Sequence, residues 1–164
     1  MDMKVNEEAR EALWNSVRDV HHEQFNQKPA EDEWSIKQIL EHLYLMEGAI
    51  ANNIEKQLAS GKEEEAKKRP IELSVDRTTK VEAPNEFQPT DDEASILEME
   101  EKLATSHQAL QKVANEYSEA TLAKKAMPHP AFGNMSLDQW VTFVGYHEDR
   151  HTKQIEEVKE KLGL

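Results

Sequence analysis

His147 and His151 stand four residues apart in a segment whose apolar positions recur every three or four residues. On a helix such a pair stacks one turn above the other on a single face. It can offer two imidazole nitrogens to one tetrahedral or octahedral cation. Leu137, Val141, Val144, Ile155 and Leu162 share that face, so both rings are predicted to point inward. A single interior histidine is usually a hydrogen-bonded core residue. Two at ligand spacing are harder to satisfy without a cation or a ring of acceptors. The candidate third ligand is His42, beside Leu43 at the edge of the apolar stripe of another predicted helix. Its plainer reading is a boundary residue with a half-wet ring.

The string His147-Glu148-Asp149-Arg150-His151 also matches the H-E-x-x-H pattern, in which the glutamate is a zinc peptidase's general base. The residues after His151 read as helix to the end, with no strand for a peptide substrate. The peptidase reading is therefore disfavoured. Glu148 lies one step off the histidine face, placed either to orient a ring as an outer acceptor or to pair with Arg150. Arg150 and Gln154 border the face, where they could hold a substrate carboxylate or make ordinary surface ion pairs. His107 falls in an inward stripe, as a cavity-lining or core histidine. His129 precedes the last helix, within reach of the mouth of a site. His21 and His22 are adjacent and face different ways, a poor chelate. Trp34 and Trp140 read as core anchors.

Four segments carry the helical period that would position these residues, and none carries convincing strand alternation. The first runs from about Asn6 to Phe25, before the break at Lys28-Pro29. The second begins at Ser35, where Ser35 and Gln38 form a capping box, and ends at Gly61. The third is expected from Thr90, with a Thr90–Glu93 box, to Tyr117. The fourth starts at Ser136, with a Ser136–Gln139 box, after the turn residues Pro130-Ala131-Phe132-Gly133-Asn134. Between the second and third lies a connection containing Pro70, Pro84 and Pro89, far longer than the usual bundle loop. Its simplest account is a crossover that leaves those two helices parallel, with a short strand or 3₁₀ piece near Ile71-Glu72-Leu73. A partly disordered linker between two helical hairpins is the alternative. The expected fold is an all-α four-helix bundle, one domain over residues 1–164.

Composition narrows the function classes. With 164 residues and 37% hydrophobic residues, one core can be buried. No stretch approaches the roughly 18 apolar residues of a membrane span, and the opening Met1-Asp2-Met3-Lys4 lacks a signal peptide's apolar region. The net charge of -13 repels phosphate backbones and anionic membranes. The densest basic run, Lys67-Lys68-Arg69, follows Glu63-Glu64-Glu65 across the single residue Ala66. Cysteine is absent, which removes disulfides, thiolate ligands and a cysteine nucleophile, and is compatible with a cytoplasmic location. Three neutral imidazoles would leave a divalent ion such as Zn²⁺ or Ni²⁺ an open position, as catalytic sites do. Bound water could then attack an ester or amide. A bound thiol could instead act as nucleophile, and it would have to come from solution.

Trp34-Ser35-Ile36 with Ile39-Leu40-Glu41-His42-Leu43, the run His129 to Ser136, and His147 to Ile155 together resemble the DinB-like superfamily across nearly the whole chain. The resemblance implies a four-helix bundle with a crossover and a three-histidine metal site, carried over as His42, His147 and His151. It also implies a homodimer and a small-molecule substrate. Some relatives use low-molecular-weight thiols such as bacillithiol or mycothiol as S-transferases or isomerases. Others are metal-dependent hydrolases. A non-catalytic metal- or ligand-binding bundle in stress response is the remaining reading.

Overall fold

The computed structural model describes residues 1–164. Its helices are α1 (Lys4–Val17), α2 (His22–Phe25), α3 (Ile36–Ser60), α4 (Ile96–Glu116), α5 (Glu119–Ala123) and α6 (Leu137–Lys161). The strands β1 (Ala126–His129) and β2 (Gly133–Ser136) lie between α5 and α6. The expected Ser35–Gln38 capping box forms: Gln38 N–H donates to Ser35 Oγ at 3.1 Å, and Ser35 N–H to Gln38 Oε1 at 2.9 Å. At the far end of α3 the Gly61 N–H closes on the Gln57 carbonyl at 2.8 Å.

Four long helices form the bundle, and the long connection is a crossover. Gln38 Nε2 reaches Asp91 Oδ1 just before α4, and Glu47 accepts from Ser106 Oγ at 2.6 Å midway along. Ile50 and Ile54 share a core with Leu110 and Val113 near the other end. Helices α3 and α4 therefore run parallel. Asn6 Nδ2 donates to the Val141 carbonyl and Lys159 Nζ to the Ser16 carbonyl, so α1 and α6 run parallel as well, against the other pair. These two meet so closely at Gly145 that a Cβ there would stand 2.9 Å from Val5 Cγ1 and 3.0 Å from the Asn6 backbone nitrogen. Within the crossover, Ile71–Val75 forms the 3₁₀ turn expected near Ile71 and buries that residue. Asn85–Phe87 forms a second.

Several expectations are corrected. The first helix stops at Val17 rather than Phe25, and the chain resumes as the single turn α2. The reason is tertiary: Phe25 is fully buried, while the Asn26 side chain both donates to and accepts from the Ala94 backbone. The third helix starts at Ile96, capped by Ser95 Oγ, not at Thr90. The Thr90 hydroxyl instead lies among Lys37 Nζ and the Glu41 carboxylate. At α6, Ser136 occupies the N-cap position without a side-chain cap bond. Gln139 is held elsewhere, accepting from Arg69 N–H and donating to Arg69 O. Finally, the turn before α6 is a β-hairpin with Ala126 opposite Ser136 and His129 opposite Gly133. Gly133 takes φ +74 to close it.

The apolar core falls into two clusters. One gathers Ile50, Ile54, Leu110, Val113, Leu137, Val141 and Val144, and the other Leu13, Val17, Ile39, Leu40, Met99, Leu103 and Ile155. On each long helix a buried or half-buried polar side chain lies between the clusters: Arg10, Glu47, Ser106, and His147, Glu148 and His151. No helix is long and apolar enough to cross a membrane.

Candidate metal centre

His42 comes from the second turn of α3, and His147 and His151 from successive turns of α6, which runs against it. The three rings meet. His147 Nε2 lies 3.1 Å from His151 Nε2 and 3.4 Å from His42 Nε2, and one nitrogen from each ring falls within 4.8 Å of the others. An ion held tetrahedrally at about 2.05 Å from each nitrogen would separate them by about 3.3 Å. The His147–His151 and His42–His147 separations match that requirement, and the third pair lies within 4.8 Å.

The outward nitrogens set the tautomers. His42 Nδ1 lies 2.7 Å from the Phe87 carbonyl, which can only accept, so Nδ1 carries the proton and Nε2 the lone pair. His151 Nδ1 lies 2.7 Å from Gln154 Oε1 and is fixed in the same sense. Two lone pairs thus converge on His147 Nε2. One proton there could satisfy one neighbour; the other contact would remain acceptor against acceptor. A cation at the common focus satisfies all three. Burial lowers the basicity of every ring, only moderately at His42, and well below the ordinary histidine range at His147 and His151, where neighbouring histidines add to the effect. The rings are therefore neutral at pH 7, as ligation demands. His42 is 3% and His151 8% exposed, so the half-wet reading of His42 is excluded.

Aromatic side chains border the cluster. The Trp34 ring lies 5.1 Å from His42 and the Phe143 ring 5.6 Å from His147. His129, at the end of β1, packs against Phe132, Trp140 and Phe143. Trp140 is buried and donates from Nε1 to the Met127 carbonyl, so it is an anchor of the hairpin.

The two outer candidates on α6 sit elsewhere. Glu148 orients no ring. Its carboxylate takes Arg10 Nε and a terminal guanidinium nitrogen at 2.8–3.1 Å, and Arg150 is not its partner. Arg150 donates to the carbonyls of Ser74, Asp76 and Thr79, so it pins the crossover onto α6. His107 contacts Glu47 Oε2 at 3.3 Å and stands outside the cluster. His21, the N-cap of α2, and His22, its first residue, are both exposed. The residues that do hold the rings are Gln154 and Phe87. Gln154 was legible as a neighbour three residues from His151, whereas the Phe87 carbonyl belongs to loop backbone and leaves no mark in side-chain pattern.

The chain is similar to proteins already known. It is 31% identical over 160 residues to the uncharacterized protein YuaE of Bacillus subtilis (strain 168), covering 98% of each. Its fold resembles that of TT2238, a four-helix bundle protein, with a TM-score of 0.64 over 94% of each chain at 19% identity. The sequence model of the DinB superfamily matches residues 6–155, and the chain belongs to that superfamily.

Proposed function

We propose that this protein is a metal-dependent enzyme that transfers a small thiol to a small electrophile at the His42–His147–His151 cluster. The observation that carries the reading is the convergence of three neutral imidazoles, two of them with their outward N–H already committed. A divalent ion such as Zn²⁺ or Ni²⁺ would be held by the three Nε2 atoms, and when bound it supplies the Lewis acidity that makes a thiol nucleophilic near pH 7. The balance is simple: a sulfur–carbon bond forms, the bond to the electrophile's leaving group breaks, and the thiol proton leaves to solvent.

The chain's own residues favour this route over hydrolysis. Hydrolysis at such a centre commonly draws on a nearby carboxylate as general base. The carboxylates adjacent in sequence to the ligands are both engaged elsewhere, Glu148 by Arg10 and Glu41 by Lys37. A thiol that ionises on binding needs no such base. The absence of cysteine requires that the sulfur come from solution. Trp34 and Phe143 set apolar rings beside the cluster, 5.1 Å from His42 and 5.6 Å from His147.

A thiol-consumption assay with metal-loaded protein, monochlorobimane and a panel of small thiols tests the reading. Metal- and thiol-dependent adduct formation is expected. Product formation that ignores the thiol would transfer the assignment to a metal-dependent hydrolase. Inertness with every pair would leave a binding protein.

A further inference from the structure

Near its end the crossover is gripped by a set of buried side chains from α3. Lys37 Nζ donates to the Glu41 carboxylate at 2.6 Å, and to the Thr90 hydroxyl and carbonyl at 3.2 and 3.3 Å. Glu41 accepts from the Thr90 backbone N–H at 3.2 Å. The Gln38 amide donates to the Thr90 carbonyl and to Asp91. Lys37, Gln38 and Glu41 are all buried. A buried ion pair contributes little net stability, and apolar side chains of similar size often replace it without loss. Holding the loop down does not by itself require charges here.

The grip lies beside the metal centre. Glu41 is followed directly by His42, and Phe87, whose carbonyl lies 2.7 Å from His42 Nδ1, stands three residues before Thr90. The spacer between them is stiff. Gln88 N–H closes the Asn85–Phe87 turn on the Asn85 carbonyl, and Gln88 is extended at φ -80, ψ 134 ahead of Pro89. The same stretch of α3 thus carries the His42 ring and holds the backbone that orients it.

We propose that Lys37, Glu41 and Thr90 are positioning residues for the metal centre: they hold the Phe87 carbonyl against His42 Nδ1 and so aim His42 Nε2 at the other two imidazoles. The proposal rests on the three-histidine metal site, but not on thiol transfer. Coupling between two sites is reciprocal, so an ion at the rings also tightens the grip on Thr90.

Zinc affinity, read by competition with a chelating dye, and amide exchange, read by NMR on the full chain, test this together. The paired variant Lys37→Met, Glu41→Leu leaves no bare charge in the core. It should bind zinc about tenfold more weakly, the lower end of the range for losing a ring's direct partner. Thr90→Val, which keeps the shape and the backbone N–H, should shift affinity the same way, and Thr90→Ser should restore it. Gln139→Leu frees the crossover at Arg69 instead and should leave zinc affinity unchanged. In the wild type, zinc should slow exchange of the Thr90 amide, a reading independent of variant folding. Variants that hold zinc as tightly as the wild type, an equal loss in Gln139→Leu, or a Thr90 amide indifferent to zinc would each overturn the proposal. Wild-type protein that takes up no zinc would sink the metal site and this assignment together. Zinc binding without thiol-dependent product would sink thiol transfer and keep it.

Discussion

Glu148 follows His147 directly, yet its carboxylate turns away from the imidazoles and grips Arg10 through two nitrogens at 2.8–3.1 Å. One step along a helix rotates a side chain by about 100°, which carries Glu148 from the cluster to the seam with α1. There Arg10 also meets Glu47 at 3.0 Å and the Leu103 carbonyl at 3.1 Å, and so joins all four long helices. Burial opposes the charge on Arg10, but Glu148 and Glu47 outweigh it and hold the guanidinium firmly protonated. Burial would also raise Glu47; hydrogen bonds from His107 and Ser106, with the charge of Arg10, bring it below the usual carboxylate range.

Removing one member of such a buried set is worse than removing a pair, because a bare charge is left in the core. Arg10→Leu should therefore cost about 3–5 kcal/mol of stability, measured by urea denaturation. The double variant Arg10→Leu with Glu148→Leu should cost less than the single one. A loss under 1 kcal/mol in the single variant would show that the network carries little.

Gln154 fixes His151 through its Nδ1, a partner of the kind whose loss typically lowers metal affinity about 10–100-fold. Gln154→Leu should weaken zinc binding within that range, as read by competition with a chelating dye. It should leave the helical signal intact. Unchanged affinity would mean that ring orientation is set by packing alone.

Acid should loosen the metal-free fold through the same three rings. Their basicity is lowered on folding, chiefly by burial, so below the ordinary histidine value of about 6.5 the unfolded chain binds more protons. The contribution is fully present above that value and declines as pH falls through it toward the lower folded values. Denaturation midpoints of metal-free protein between pH 7.5 and 5 should fall more steeply for the wild type than for a His147→Leu, His151→Leu variant. Parallel pH curves would contradict the burial account.

The helical rods and the inward histidines were legible because both are written in a 3.6-residue period: Leu137, Val141, Val144 and Ile155 define the face on which His147 and His151 lie. What was not legible depended on partners distant in sequence. Thr90-x-x-Glu93 and Ser95-x-x-Glu98 both spell a capping box, and contacts with Glu41 and Lys37 decide against the first. The hairpin strands are four residues each and contain Pro128, too short and too broken to show alternation. Nothing near Glu148 announces that its counterion sits on α1.

Anomalous scattering from crystals grown with zinc, recorded on both sides of the zinc edge, tests the metal centre itself. One peak about 2.0–2.1 Å from the Nε2 atoms of His42, His147 and His151 is predicted, and it should vanish in His147→Ala. Density showing the three rings bridged by water or a proton, with no anomalous signal at their focus under saturating zinc, would contradict the account.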